Sequence, residues 1–276
     1  MKILGITVKG FKKEKCEDAI SLKTYKVGET EVFLFALADG AGSAENSQEG
    51  AQFLTQNFIK ILRSYLRKNK HLILRPDIFN TALRNVLWNV IEEARNKLLE
   101  KAYVENKPFE TFASTFIGGL CINSDFIKKV FYVSIGDSAI FTFKEEGDTI
   151  KLNHSNTPIK GEYTNTTVFL TSNIWNKVAT SGEIDEVDYL FVSSDGLEKI
   201  FFRAKVVKEI NEDKCPIYMK YLWKFEVFSN TINLLRKIEA GSIGEEELYS
   251  FLASEKCMYL NNDDKSLIIG VLGQRI

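Results

Sequence analysis

The first third of the chain passes from short apolar runs to long amphipathic patterns. Strands are predicted over residues 2–8 and 19–25, and residues 32–37 are apolar at every position, which predicts a strand covered on both faces. From residue 47 to about residue 68 apolar side chains recur at helical spacing. A second helix is predicted to begin at Pro76, a favourable first-turn residue, and to carry an apolar stripe as far as Leu98.

The rest of the chain is dominated by closely spaced strands. They are predicted at residues 112–121, 129–135, 139–143, 167–171, 189–193 and 266–272, with a hairpin turn near Gly147. Residues 216–240 predict a helix ending at Gly241, and residues 242–245 read as a capping box that opens a short helix through Leu252. The less regular stretch 153–183 is interpreted as a flap over a site.

Two long helices in succession, without a strand between them, argue against an alternating β-α-β order. Strands that are apolar on both faces also need cover on both faces. We therefore predict an α+β fold, in which two antiparallel β-sheets pack as a sandwich flanked by pairs of antiparallel helices. The prediction is one domain over residues 1–276.

Acidic residues stand where apolar strands end or begin, namely Asp39, Asp137, Asp195 and Asp263. Taken alone, each of them is better explained as a turn former, because Asp-Gly and Asn-Asp sequences favour turns. As a set they point to chemistry, since Mg²⁺ and Mn²⁺ prefer carboxylate, carbonyl and water ligands. Asp39 and the Gly40 carbonyl could bridge two ions that activate a water for attack on phosphorus, with Asp195 and Asp263 completing one of them.

Composition argues against several kinds of binding partner and catalytic site. Lys+Arg 36 against Asp+Glu 37 gives a net charge of -1, so no nucleic-acid or membrane partner is expected. The basic run over residues 60–75 is interpreted as a solvated helix face. The 4 cysteines lie far apart, which favours reduced thiols in the cytoplasm. With 2 histidines, His71 and His154, both expected at the surface, a zinc site or a Ser-His-Asp triad is hard to assemble.

Several motifs follow one another in the order of a known family. They are Glu17-Asp18, Asp39-Gly40-Ala41-Gly42, Thr111–Thr115, Gly136-Asp137-Ser138, Ser194-Asp195-Gly196 and Asp263–Ser266, with Gly161–Thr171 similar to a bacterial subgroup. Together they resemble the metal-dependent Ser/Thr protein phosphatases of type 2C, over nearly the whole chain.

The resemblance implies roles for individual residues. Asp39 bridges two metal ions, the Gly40 carbonyl binds one, and Asp195 and Asp263 bind the other. Glu17 and Asp18 act nearby through waters bound to the ions. Asp137, with Asp195, matches a third, weaker metal site. The cofactor it implies is Mn²⁺ or Mg²⁺, as two ions with a possible third.

The chain also departs from the family pattern. Lys13 stands where an Arg is frequent, and it can bind phosphate as a point charge rather than as a bidentate fork. Ala41 stands where eukaryotic members have a His, Ser43 replaces a Gly, and Ala139 replaces an Arg. These changes affect phosphate binding and leaving-group protonation rather than the acids.

We therefore predict a monomeric, Mn²⁺- or Mg²⁺-dependent phosphatase that hydrolyses phosphoserine or phosphothreonine in proteins without a covalent intermediate. Its catalytic residues are Asp39, Asp18 and Lys13. Two alternatives remain open: a pseudophosphatase that only binds or regulates, and a phosphatase of small metabolites.

Overall fold

The architecture follows from a computed structural model that describes residues 1–159, 167–209 and 221–273. The β-strands are β1 Lys2–Val8, β2 Ala19–Val27, β3 Thr30–Ala38, β4 Phe116–Asn123, β5 Lys128–Ile135, β6 Ala139–Glu146, β7 Thr149–Ser155, β8 Thr180–Asp185, β9 Tyr189–Ser193, β10 Phe202–Glu209, β11 Tyr221–Val227 and β12 Lys265–Val271. The α-helices are α1 Ser47–Lys68, α2 His71–Leu74, α3 Asn80–Val104, α4 Trp175–Val178, α5 Ser229–Glu239, α6 Glu245–Leu252 and α7 Glu255–Leu260.

Ten of these strands form two five-stranded antiparallel sheets. The first has the order β1-β12-β9-β6-β7, and the second has the order β2-β3-β4-β5-β8. Strands β10 and β11 pair separately as a two-stranded ribbon. Apolar side chains from both large sheets meet in one buried layer, to which β3 contributes Phe33 and Phe35, β9 contributes Val192 and β12 contributes Ile268. The two sheets are therefore packed face to face.

Helices cover the outer faces of the sandwich. Helices α1 and α3 contact each other and the second sheet, where the other face of β3, including Val32 and Leu34, joins their apolar stripes. Helices α5 and α6 pack on the first sheet, together with the β10–β11 ribbon. Each element thus buries its apolar side in one of three layers. The predicted α+β sandwich is confirmed, while the single domain over residues 1–276 stays a prediction.

Three predicted elements differ from the structure. Residues 167–171 contain no strand, and α3 begins at Asn80 because Pro76 lies in the turn that follows α2. The helix predicted over 216–240 is wrong: residues 221–227 are strand β11, and only Ser229–Glu239 is helical. Its predicted start at Pro216 lies outside the described residues. Within the described ranges, no helix has both the length and the apolar character needed to cross a bilayer.

Candidate active site

Asp39 stands at the end of β3 and is fixed through its backbone. Its carbonyl accepts a hydrogen bond from the Thr115 N–H at 2.8 Å. Its own N–H donates to Thr115 Oγ1 at 3.2 Å, and that hydroxyl lies 3.1 Å from Ser138 Oγ. These bonds join the end of β3 to the segments that precede β4 and β6. The Asp39 carboxylate is therefore held where three strands meet.

Asp39-Gly40 does not form the hairpin turn that the dipeptide alone would favour. Gly40 makes an isolated antiparallel bridge with Ser114, and the Ala41 N–H donates to the Ala113 carbonyl at 3.0 Å. A Cβ atom on Gly40 would lie 2.7 Å from the Glu17 carbonyl oxygen, which is too close for any side chain. The glycine is thus required by the close approach of the Glu17 backbone.

Topology explains why the acids meet. In the second sheet β3 and β5 run in the same direction because β4 lies antiparallel between them, so Asp39 and Asp137 emerge at one edge. In the first sheet β12 is antiparallel to β9, so Asp263 before β12 lies at the same edge as Asp195 after β9. The sandwich brings these two edges to one opening.

This opening is a cavity of about 410 Å³. Its lining consists of Phe11, Lys13, Asp39, Gly40, Ala41, Gly42, Ser43, Thr115, Asp137, Thr167, Phe169, Asp195, Asn262 and Asp263. It therefore contains all four strand-end acids identified in the sequence, together with Lys13 and Gly40.

Burial and the charges of neighbouring acids both raise pKa values in this cavity. Burial raises the pKa of Asp39 well above its ordinary value, and the charges of Asp18, Asp195, Asp137 and Asp263 raise it further. Burial also raises the pKa of Asp18 to about 7, where nearby charges add to the effect and the Ser194 hydroxyl offsets part of it. Each of these carboxyl groups is therefore more stable when it is protonated or paired with a cation than when it is ionised alone.

Asp18 is 4% exposed, and neither carboxylate oxygen has a hydrogen-bond partner of good geometry. Glu17, beside it, is differently placed: its Oε1 accepts a hydrogen bond from Ser47 Oγ at 3.1 Å and its Oε2 lies 3.1 Å from Lys13 Nζ. Neither residue lines the cavity directly. Both residues are expected near the site from the sequence, and in the structure they lie behind the residues that line the cavity.

Lys13 contacts acids on two segments. Its ammonium pairs with Asp263, and it lies 3.1 Å from Asp264 Oδ2. Burial disfavours its charge, but the hydrogen bonds and charges of Asp263 and Asp264 outweigh this and raise its pKa. The lysine is therefore fully charged at the cavity wall, as a phosphate-binding residue has to be.

Asp264 is a residue that the sequence analysis did not assign. It is 2% exposed, and its carboxylate accepts hydrogen bonds from the Gly10 N–H and the Glu17 N–H, each at 2.7 Å. It thereby fastens the loop carrying Lys13, Glu17 and Asp18 to the start of β12. Asp264 is visible in the sequence as the second residue of an Asp-Asp pair. It was not counted among the strand-end acids because Asp263 takes that position. Thr115 and Ser138 were likewise not assigned individually.

The donor set suits a hard divalent cation. It offers carboxylates, a backbone carbonyl at Gly40 and the unpartnered carboxylate of Asp18, which are the ligand types that Mg²⁺ and Mn²⁺ prefer. Within the described part of the chain, however, no three Asp, Glu, His or Cys side chains are gathered closely enough to hold one ion as placed. Binding at Asp263 requires its contact with Lys13 to shift.

His71, His154 and Cys16, which were not assigned to the metal site, do not line the cavity. His71 is exposed, whereas His154 is half-buried and 3.0 Å from Tyr132 Oη, so the expectation that both are surface residues is wrong for His154. Burial, and then the charge of Asp18, raise the pKa of Cys16 to about 12, which makes it an inert thiol. Most of the similar segment 161–171, and part of the predicted flap, lie outside the described residues.

Comparisons with known proteins identify the family and the fold of the chain. A search of curated proteins gave no match. Among solved structures, the serine/threonine phosphatase Stp1 from Staphylococcus aureus superposes with a TM-score of 0.60 at 15% identity, covering 99% of this chain and 95% of that one. The Mycobacterium tuberculosis serine/threonine phosphatase PstP/Ppp gives a TM-score of 0.57 at 15% identity, covering 97% of each chain.

A further structure, the catalytic domain of the serine threonine protein phosphatase PstP in complex with two manganese ions, gives a TM-score of 0.55 at 14% identity over 97% of this chain and 96% of that one. At such identities the similarity establishes the fold. Membership rests on the sequence profile of the family described as protein phosphatase 2C, which matches residues 11–227. The chain belongs to the protein phosphatase 2C family, and the enzyme class predicted from its motifs, a protein serine/threonine phosphatase, is confirmed at the level of that family.

Proposed function

We propose that this phosphatase hydrolyses phosphoserine or phosphothreonine in proteins by attack of an activated water, using two divalent ions and no covalent enzyme intermediate. The observation that carries the proposal is the cavity in which Asp39, Asp137, Asp195 and Asp263 converge. The desolvated carboxylate of Asp18 behind it supports the same conclusion. A relative of the same fold is described with two manganese ions.

In this proposal each residue has a defined task. Asp39 would be shared by both ions, the Gly40 carbonyl would bind one, and Asp195 and Asp263 would bind the other. Asp137, with Asp195, would hold a third, weaker ion. Mn²⁺ or Mg²⁺, when bound, supplies water activation and offsets charge on the phosphoryl oxygens. Thr115 and Ser138 keep the Asp39 backbone fixed. Glu17 and Asp18 orient water at the rear of the site, and Lys13 attracts the phosphate as a charged donor.

The pseudophosphatase alternative rests on Lys13, Ala41 and Ala139, which stand where the family pattern has other residues. Ala41 and Ser43 line the cavity without an acid or a cation, and Ala139 is buried in β6. These residues weaken phosphate contacts, yet the acids remain in place. Reduced turnover is therefore favoured over none. The cytoplasm is proposed from the free thiols of Cys16, Cys121 and Cys257, and a monomer is expected.

Dependence of turnover on a divalent metal ion is tested by assaying p-nitrophenyl phosphate hydrolysis with Mn²⁺ and then with excess EDTA. Asp39→Asn is expected to lower kcat at least about a thousandfold, because the bridging carboxylate contributes several kcal/mol to catalysis. Asp125→Asn, an exposed acid in the β4–β5 turn, is the matched control and should leave kcat unchanged. Turnover that survives EDTA, or an active Asp39→Asn protein with Mn²⁺ bound, would refute the proposed mechanism.

The substrate class needs a separate measurement. Comparing kcat/KM for phosphothreonine peptides with that for small phosphorylated metabolites distinguishes a protein phosphatase from a metabolite phosphatase. We expect the peptides to be favoured. A preference for metabolites would support the alternative.

A further inference from the structure

A second and larger cavity adjoins the active site. It has a volume of about 930 Å³ and lies between the loop before Lys13 and helix α7. Phe11 and Asn262 line both this groove and the cavity that holds the acids. A polypeptide bound with its phosphorylated residue over Asp39 therefore has a continuous path into the groove.

The wall shared by the groove and the active-site cavity, at Phe11 and Asn262, is held by backbone contacts. The Phe11 N–H donates to the Asn262 carbonyl at 3.0 Å, and the Gly10 N–H donates to the buried Asp264 carboxylate at 2.7 Å. A Cβ atom on Gly10 would lie 2.5 Å from the Asn262 carbonyl oxygen, so the two backbones are in close contact. The exposed ring of Phe11 is thus presented on a fixed loop. An aromatic side chain has only two rotatable side-chain bonds, so it loses little conformational entropy on binding.

Large apolar side chains on this surface are unusually exposed. Phe11 is 58% exposed and Tyr259 is 92% exposed, at opposite sides of the groove. Met258, next to Tyr259 on α7, is half-buried and also lines the groove. Aromatic residues exposed beside a catalytic cavity are typical of interaction surfaces.

The charge of the groove is positive in a chain of net charge -1. Lys9, Lys12 and Lys199 line it, against a single acid, Glu255. None of these three lysines forms an ion pair with another residue in the part of the chain that the structure describes. Lys12 and Lys199 have φ angles of 65° and 70°, a left-handed conformation that non-glycine residues adopt at a cost.

We propose that this groove binds the segment flanking the phosphorylated residue of the protein substrate, and that it selects segments carrying acidic and aromatic side chains. The lysines pair with the acids, and Phe11, Met258 and Tyr259 contact the apolar groups. The inference deepens the proposed function and rests on it for the position of the phosphorylated residue.

Binding is measured first, so that the result does not depend on turnover. The full chain with Mn²⁺ is titrated with fluorescent peptides that carry a non-hydrolysable phosphonate and either Glu- and Phe-rich or Lys- and Ala-rich flanks. The acidic, aromatic peptide is expected to bind about tenfold more tightly, and Lys199→Glu with Tyr259→Ala is expected to remove that preference. The matched control combines Lys68→Glu with Tyr103→Ala, an exposed lysine and an exposed tyrosine elsewhere.

Turnover gives the second readout. For hydrolysable peptides with the same flanks, the groove variant is expected to lower kcat/KM about tenfold only for the acidic, aromatic peptide. Its kcat/KM for p-nitrophenyl phosphate, which is too small to reach the groove, should be unchanged. Equal binding of both peptides, or an equal loss for p-nitrophenyl phosphate, would overturn the proposal. Retained peptide selectivity in a protein without turnover would reject the proposed function alone.

Self-association is the competing use of such a surface. Sedimentation of the unmodified protein should give a monomer. A dimer that Lys199→Glu with Tyr259→Ala dissociates would assign the groove to a second copy of the chain and overturn the proposal.

Discussion

Asp264 shows how one buried carboxylate can organise a site without lining it. It accepts two backbone hydrogen bonds of 2.7 Å, from Gly10 and Glu17, and a third contact from Lys13. These three residues belong to the loop that carries Asp18 and borders the proposed docking groove. The position of that loop therefore depends on a single side chain at the start of β12.

Replacing Asp264 should consequently destabilise the protein. Asp264→Ala is expected to lower the free energy of unfolding by about 2–4 kcal/mol, because two buried N–H groups lose charge-assisted hydrogen bonds. Urea denaturation with a chelator present measures this loss without a contribution from bound metal. Asp125→Ala, at an exposed turn, should change stability by less than about 0.5 kcal/mol. Equal stability of the two variants would show that the loop is fixed by other contacts.

Individual residues were predictable where sequence position and chemistry coincide. Asp39 follows a run that is apolar at every position from Val32 to Ala38, and glycines come after it, so its place at a strand end is predictable from the sequence. Asp264 follows another acid, and only the three-dimensional structure shows that its side chain points to backbone N–H groups rather than into the cavity. Lys13 was predicted as a phosphate contact, whereas its pairing with Asp263 and Asp264 depends on a segment far along the chain.

The β10–β11 ribbon is the element whose secondary structure was predicted wrongly from the sequence pattern, as a helix instead of a strand. Tyr221, Leu222, Phe225 and Phe228 fit a helical spacing, but Trp223 and Phe225 are buried while Leu222, Lys224 and Glu226 are exposed. That alternation has the period of two expected for a strand with one covered face. The segment is short and rich in aromatic residues, and both periods fit it until its pairing with β10 is known.

Two positions of this ribbon, three residues apart on β11, provide a direct test. Phe225 is 8% exposed and its ring lies 5.3 Å from that of Phe141 and 5.2 Å from that of Phe202, whereas Leu222 is 39% exposed. Phe225→Ala is expected to destabilise the protein by about 3–5 kcal/mol through the cavity it creates. Leu222→Ala should cost less than about 1 kcal/mol. Urea denaturation distinguishes this strand from a helix, in which Leu222 and Phe225 would share one buried face and both changes would be costly.

Longer elements were predicted more securely. Helix α1 occupies Ser47–Lys68, the predicted range, because its apolar stripe continues over many turns. Strand β3 is buried along most of its length, as a run that is apolar at every position requires. Residues 167–171 have the composition of a strand, yet the backbone of Leu170 donates to Ser114 beside the cavity instead of extending a sheet. A short segment next to a site is decided by such tertiary contacts.

At the scale of the whole molecule, the sandwich places acids from both sheets around one cavity. Local pattern could predict that Asp39, Asp137, Asp195 and Asp263 lie at strand ends. It could not predict the order of strands in each sheet, which decides whether those ends share an edge. Their convergence was expected from the resemblance to the type 2C family. The structure supplies the physical reason, namely the antiparallel positions of β4 between β3 and β5 and of β12 beside β9.

Gathering these acids has a consequence for stability that depends on pH. Burial and neighbouring charges raise the pKa of Asp18 from 3.8 to about 7 in the folded protein. The folded state therefore binds a proton more tightly than the unfolded state, and the associated stability is complete below about pH 4. It is lost as the pH rises towards 7. For metal-free protein we expect this group alone to remove on the order of 3–4 kcal/mol across that range.

Asp18→Asn isolates this contribution, because the amide resembles the protonated carboxyl and carries no charge at any pH. With EDTA present, the Tm difference between Asp18→Asn and the unmodified protein should be small near pH 4 and should grow in favour of the variant up to about pH 7. Asp125→Asn, at the exposed β4–β5 turn, is the matched acid-to-amide control. Parallel Tm curves for the unmodified protein and Asp18→Asn would mean that Asp18 ionises as readily in the folded state as in the unfolded state. Adding Mn²⁺ at pH 8 should then raise the Tm of the unmodified protein more than that of Asp18→Asn, because a cation in the cavity stabilises only the ionised carboxylate.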